Sequence, residues 1–460
     1  MPAPLPMPDA PLLPPDHPDR ASLAAEVHAR PPEPLQPPSR ATYVAVRIDG
    51  DARAAEMAHI QALCTACGVA PPAPGVTQWA AHLATGRGLV RFKWERHGEF
   101  SSYTFFTAGL SGLPFAEPVV ALLPAGWLAG VPEQTVFAAH AKLAPASLLV
   151  DAAQGPGGTP SAGQLAAHFG GNVVVGAGIG DGAGMAFTDF VIHPDGFARF
   201  LLVDREMTER QAGRMLQRLF EIEAYRMMAL LALPVARGLW PRLQAIERTL
   251  AGLTERIAAG ANAGPGQDEQ LLQDLMALAA EIESALSASQ ARFGASRAYH
   301  ALVATRIGEL REVRIKGLQT IDEFMTRRLS PAMATCATAN QRLHDLSERV
   351  AQASNLLSTR VDIARERQNQ ALLAATARRA KLQLRLQQTV EGLSVAAIVY
   401  YLSGLVGYGA KALKAAGAPI SPDLVTGAAV PVLALGAWLV LQRVHRRIAA
   451  DDAETSRGFR

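Results

Sequence analysis

Cysteine is nearly missing from this chain, with three in 460 residues. Cys64 and Cys67 form a CxxC inside an alanine-rich, helix-prone stretch, and Cys336 stands alone. A zinc site needs a second pair or histidines at matching spacing, and a thioredoxin-like site needs its strand–helix context. Neither accompanies this CxxC, which reads as coincidence within a helix. A domain this poor in thiols fits a cytoplasmic setting. An excess of one charge is lacking too. The 44 basic and 41 acidic residues leave +3, and no basic stripe is interleaved with aromatics, so nothing points to nucleic acid. There is no His-Glu-x-x-His, nucleophile elbow or kinase set. The N-terminus, MPAPLPMPDAPLLPP, has neither a basic n-region nor a continuous apolar core, which excludes a signal peptide. Its prolines predict an extended, disordered lead-in over residues 1–39, with one short helix over Ala21–Arg30.

What is present is two long apolar runs near the C-terminus. Leu393 to Ala410 reads LSVAAIVYYLSGLVGYGA without a charge, and Leu424 to Gln442 reads LVTGAAVPVLALGAWLVLQ. About 20 apolar residues, within a range of roughly 17–25, span a bilayer as a helix. Tyr400, Tyr401, Tyr408 and Trp438 are suited to the membrane interface. Arg378, Arg379, Lys381 and Arg385 precede the first run, and Arg443, Arg446 and Arg447 follow the second. The loop between them holds only Lys411 and Lys414. By the positive-inside rule, the large N-terminal part and the tail over 443–460 are cytoplasmic.

The remainder reads as an α+β (or α/β) domain over 40–205, a helical stalk over 208–392 and two transmembrane helices over 393–442. TYVAVRI alternates like a strand, and Asp51 is placed to cap the next helix. LVRFKWER and SSYTFFTAG predict two strands joined near Gly98. Thr135–Ala141 and Asn172–Val175 predict two more, and Ser161–Phe169 a helix. His193-Pro194-Asp195-Gly196 is a turn between two further strands. The run GAGIGDGAG, Gly176 to Gly184, has no Gly-Lys-Ser/Thr after it and opens no helix, so it reads as a flexible strand connection. Thr208 with Gln211 predicts a capped helix, interrupted at Pro234 and resuming to Ala259. A helix over Asp268–Leu286 should meet another near Ser287–Ser296. Ser330-Pro331 should start a final helix that runs unbroken into the first span, with a seam at Leu343, Leu346, Val350, Ala353 and Leu357.

Two groups of residues stand out as candidates. Along the final helix Asn369, Thr376, Gln383, Gln387, Ser394, Tyr401 and Tyr408 make a near-heptad polar line, suited to an axis between helices or to plain helix contacts. In the first span Tyr400, Ser403 and Gly407 form a packing stripe. His97 and Glu99, with Glu26 and His28, are the only tempting histidine–carboxylate clusters, and bracing of the lead-in explains them better than metal or acid–base work. No catalytic, cofactor or metal residue is assigned, and an enzyme is the least favoured class.

Several stretches together carry a resemblance: EVHARP at Glu26–Pro31, HGEFSSY at His97–Tyr103, TDF at Thr188–Phe190, QRLFEIEAYRMMALLALPVAR at Gln217–Arg237 and RRAKLQLRLQQTVEGLS at Arg378–Ser394. The chain resembles the bacterial domain-of-unknown-function family 3422, labelled uncharacterised membrane-anchored proteins. That likeness implies an inner-membrane protein and brings no activity. In layout the chain also resembles CorA-type magnesium channels, which place a cytoplasmic α/β domain and a long helix before two C-terminal spans. Their Tyr-Gly-Met-Asn corresponds here to Tyr408-Gly409-Ala410-Lys411, so a lysine replaces the asparagine at the ion entrance. Two functional readings follow. One is a homo-oligomer in the lipid bilayer that conducts cations along the first-span helices. The other is a non-conducting anchor that binds a partner protein through its cytoplasmic helices.

Overall fold

The architecture comes from a computed structural model that describes residues 14–27, 31–154, 158–259, 265–417 and 419–455. The chain divides into two compact units, residues 1–261 with 273–354, and residues 262–272 with 355–460.

The first unit is built on a mixed nine-stranded sheet. Its strands are β1 (Ser39–Arg47), β2 (Gln78–Thr85), β3 (Gly88–Arg96), β4 (Phe100–Ala108), β5 (Gln134–Pro145), β6 (Val175–Ile179), β7 (Gly184–Thr188), β8 (Ala198–Asp204) and β9 (Val313–Arg314). The spatial order is β2-β3-β4-β1-β5-β8-β7-β6-β9. Only β5 and β8 run parallel; the other pairings are antiparallel. This is the α+β alternative. β2 is a strand that QWAAHLAT does not advertise, because its three alanines carry little strand preference.

Strand alternation sends side chains to two faces. One face meets α4 (Glu209–Leu230), where Tyr43 of β1 stacks on Phe220 with ring centroids 4.8 Å apart. The opposite face buries Val44, Val46, Phe92 and Phe105 with Ile60 and Leu63 of α2 (Arg53–Ala66). Farther along, Leu201, Val203 and Phe187 pack with Leu165 and Phe169 of α3 (Ala162–Phe169). Ser161 caps α3 through a complete capping box with Gln164. The expected Asp51 cap is absent. Asp51 lies in a 3-10 turn, Gly50–Ala52, and α2 starts after Ala52 without a side-chain cap.

α1 (Arg20–Val27) is the short helix expected in the lead-in. Residues 31–38 lie against the sheet domain. Leu35 is buried and its N–H donates to Glu209 O at 3.0 Å. Lys93 Nζ donates to Pro31 O at 2.8 Å and Arg91 to Pro34 O at 2.9 Å.

The glycine run is not a connection. Gly176 and Gly178 belong to β6, Gly184 opens β7, and the two strands form a hairpin whose turn residues Gly180, Asp181 and Gly182 all have positive φ. A Cβ on Gly176 would stand 2.4 Å from the Phe187 ring, so this glycine is needed for strand packing.

The helices differ from expectation at two places. α5 (Ala232–Ala259) follows α4 after the break near Pro234, as expected. α6 (Pro265–Leu310) then runs through the expected junction at 287–296. Its serines do not break it, since Ser289 Oγ donates to Ala285 O at 2.8 Å and Ser296 Oγ to Ala229 O of α4 at 2.8 Å. α7 (Ile321–Ala415) starts ten residues before Pro331, which lies inside it. Thr320 makes the start: its Oγ1 accepts from Glu323 N at 3.1 Å, and its N–H donates to Glu323 Oε2 at 3.3 Å. Leu343, Leu346 and Val350 are buried, as are Leu243, Ile246 and Leu250 of α5, and the Arg342 guanidinium of α7 lies over the Trp240 ring of α5 at 4.9 Å.

In the second unit, Arg360 and Arg365 of α7 pair with Asp268 and Glu269 of α6 at 3.0 and 2.9 Å. Leu357 and Val361 are buried. From there to the apolar stretch the described α7 side chains are exposed, apart from the half-buried Ala364 and Glu391. α8 (Pro422–Thr455) follows and carries the second apolar run.

Candidate functional site

In the second unit, each residue of the polar line is exposed: Asn369, Thr376, Gln383, Gln387, Ser394, Tyr401 and Tyr408. Seven residues advance a helix by about 700°, so a seven-residue repeat drifts only about 20° per step. The line therefore keeps to one side of α7. Val395, Val399, Ser403, Val406, Gly407 and Ala410 are half-buried or buried, and they centre roughly 160–180° from Tyr401. On α8 the half-buried positions recur at Thr426, Ala429, Leu433 and Ala437. A Cβ on Gly407 would lie 3.0 Å from Thr426 Oγ1, so the two helices approach closely there. α8 thus covers the face of α7 around Gly407, and the polar line stays exposed, with Tyr401 and Tyr408 bordering a groove that they share with Thr426, Gly427 and Val430 of α8.

Of the packing stripe, Ser403 and Gly407 face α8. Tyr400 is exposed, with its ring edge-on to Tyr401, 5.8 Å between centroids. Ser394 and Thr376 return their hydroxyls to backbone carbonyls at Val390 and Leu373, both within 2.9 Å. The uncharged oxygens along the line belong to hydroxyl, amide and phenol groups, which accept or donate hydrogen bonds and carry no fixed charge.

A second convergence lies in the first unit, around α4. The His97 ring of HGEFSSY stacks on Phe100 at 4.2 Å and meets Tyr225 of α4 edge-on. Glu99 turns to Arg292 of α6 at 3.0 Å. Burial, with the Glu99 carboxylate beside it, pushes the Tyr299 hydroxyl up to about 12. In TDF, Asp189 is buried and accepts from Asn172 Nδ2 at 2.8 Å, with His193 Nε2 at 2.9 Å. Phe190 has φ 55°, an uncommon backbone for a bulky residue. It stacks on Phe324 of α7 at 4.3 Å, under the guanidinium of Arg226. Arg226 forms a two-pronged pair with Glu223 at 2.6 and 2.8 Å. Sequence reasoning singled out His97 and Glu99 and missed Arg226, Phe190 and Phe324, whose separation along the chain hides their contact.

Between the sheet and α4 a cavity of about 20 Å³, lined in part by Tyr43, Lys93, Glu95, Ser102 and Gln217, has room for roughly one water. Lys93 and Glu95 pair inside it at 3.0 Å. His97 and Glu99 diverge toward different partners, and among the described residues no group of three His, Cys, Asp or Glu could hold a metal ion. The Glu26 side chain and His28 lie outside the described residues. The α4 cluster is a joint in which segments from the sheet, α6 and α7 are fixed to one helix.

A family model described as "Protein of unknown function (DUF3422)" matches residues 15–448. The chain belongs to this DUF3422 family. The match takes in every strand, the α4 joint and both apolar helices. No curated protein and no solved structure matches the chain. The likeness to CorA-type channels rests on the order of elements alone.

Proposed function

We propose that this DUF3422 protein is anchored in a bacterial inner membrane by the apolar parts of α7 and α8, and that copies associate through the free face of α7. The observation that carries the proposal is that the two helices long and apolar enough to span a membrane have none of that apolar window buried by the chain. The core helix of a soluble protein would be covered. Ile398, Leu405, Leu424, Val432, Leu435 and Val440 are instead 53–74% exposed. Burying each such side chain stabilises by about 1.5–3 kcal/mol, so a bilayer is their natural solvent.

The basic flanks support a cytoplasmic position for the N-terminal part and the tail, with Lys411 and Lys414, which lie in the last turns of α7 and not in a loop, on the outer side. The exposure of the polar line supports self-association, because α8 leaves these side chains open to another copy. Around a shared axis, the line's oxygens would meet passing cations. In a closed bundle the same residues serve as a seam, and the protein is a non-conducting anchor whose cytoplasmic helices are free for a protein partner. No catalytic role is proposed.

The mass of the detergent-purified protein by light scattering, with detergent subtracted, tests the association. One defined oligomer is expected; a monomer would overturn it. Cation flux into liposomes, reduced in Tyr401→Ala and Gln387→Ala, would favour the conducting form. A defined oligomer without flux would favour the anchor.

A further inference from the structure

The sheet face turned away from α4 carries two apolar cores, and between them lies a basic patch of buried Lys142 and His140 and half-buried Arg40 and Arg199. Arg40 and Lys142 are direct cross-strand partners on β1 and β5. His140 and Arg199 are partners on β5 and β8. Strand alternation puts all four on this one face. Like charges placed directly opposite each other are unfavourable, and burial increases the cost of an unpaired charge.

Carboxylates do not balance the patch. Arg40 reaches the exposed Glu117 at 3.3 Å, and Arg199 reaches Asp195 at 3.9 Å. Lys142 is only 9% exposed and has no carboxylate partner among the described residues. Its Nζ lies 3.3 Å from His168 Nε2. His168 Nδ1 is 2.7 Å from Gln164 O and must donate there, which leaves Nε2 to accept from Lys142. Among the described residues the other ammonium protons of Lys142 have no acceptor. The Nε atoms of Arg40 and Arg199 are likewise buried without a hydrogen-bond partner. The three cations share neighbours. Arg199 also donates to His168 O at 3.2 Å. Phe115 meets both the Arg199 guanidinium and the His168 ring, and Glu117 stands two residues from it.

We propose that this patch binds a small oxyanion, a phosphate- or carboxylate-bearing group, with Lys142 as its central cation and Arg40 and Arg199 as flanking donors. An oxyanion supplies both what the patch lacks, negative charge and several acceptor atoms. The loop carrying Phe115 and Glu117 adjoins it, so ligand binding and loop position are coupled.

The test uses the full chain in detergent, with thermal unfolding followed in sodium chloride, sodium acetate or sodium phosphate at matched ionic strength. Phosphate, acetate or both should raise the unfolding midpoint over chloride in a saturable way. Lys142→Met should weaken the apparent affinity at least tenfold. A response to phosphate alone identifies a phosphate group, and a response to acetate alone a carboxylate. Equal midpoints in all three salts, or an unchanged response in Lys142→Met, would overturn the proposal. Should Lys142→Met fail to fold, Arg199→Gln carries the same comparison, and loss of the saturable response is again expected.

Discussion

Glu56 sits on α2 with 1% of its surface exposed, and its Oε1 accepts from Trp94 Nε1 at 2.9 Å and Tyr103 Oη at 2.8 Å. Arg53 supplies the counter-charge at 3.2 Å. Burial, with the carboxylate next to it, raises the Tyr103 hydroxyl well above its ordinary value. Replacing Glu56 by alanine strands two buried donors and takes the counter-charge from the half-buried Arg53, so Glu56→Ala should cost about 3–5 kcal/mol. Glu56→Gln keeps an acceptor and should cost less; urea midpoints of the two variants check the order. His140 gives a pH signature. Burial lowers its imidazole to about 4 from an ordinary 6.5, so the unfolded chain binds the extra proton between those values. The stability that the neutral ring contributes is fully present above about pH 6.5 and is lost as pH falls toward 4, by roughly 3 kcal/mol at the lower end. Thermal midpoints across that window should fall more steeply for the wild type than for His140→Gln. Neither residue announced its role in the sequence, because Glu56 meets Trp94 and Tyr103 from 38 and 47 residues away.

At the element scale, local signals served best where a local interaction sets the boundary. Ser161 and Thr208 start helices as their sequences indicate. The strands with alternating or β-branched residues, such as TYVAVRI, were legible as well. Pro331 misled because the stronger start is Thr320 with Glu323, whose reciprocal hydrogen bonds satisfy two end groups. The glycine run misled because its residues are chosen for strand packing, which depends on Phe187 from the partner strand. The polar line of α7 was legible from its spacing, but the face covered by α8 was not, since a contact between two apolar helices leaves no unique pattern. Gly407 tests that contact. Gly407→Leu should force α7 and α8 apart at Thr426 and destabilise the hairpin by about 1–3 kcal/mol. Spin labels at Ser403→Cys and Ala429→Cys should show a longer and broader distance in that background, and an unchanged distance would remove the close approach.

At the scale of the whole molecule, the first unit closes its own cores on both sheet faces and in its helices, whereas the apolar parts of α7 and α8 in the second unit remain uncovered. That contrast was visible in the sequence as two uncharged runs after a chain of mixed polarity. What one sequence left open was whether those runs fold back into a protein core. Their exposure in the structure is the added fact on which the membrane reading depends. The most direct check is alkaline extraction of membranes from cells making the full chain. The protein should stay in the membrane pellet, and replacing Ile398 and Leu405 on α7 and Leu435 on α8 with aspartate should release it. Recovery of the unaltered chain in the supernatant would contradict a bilayer anchor.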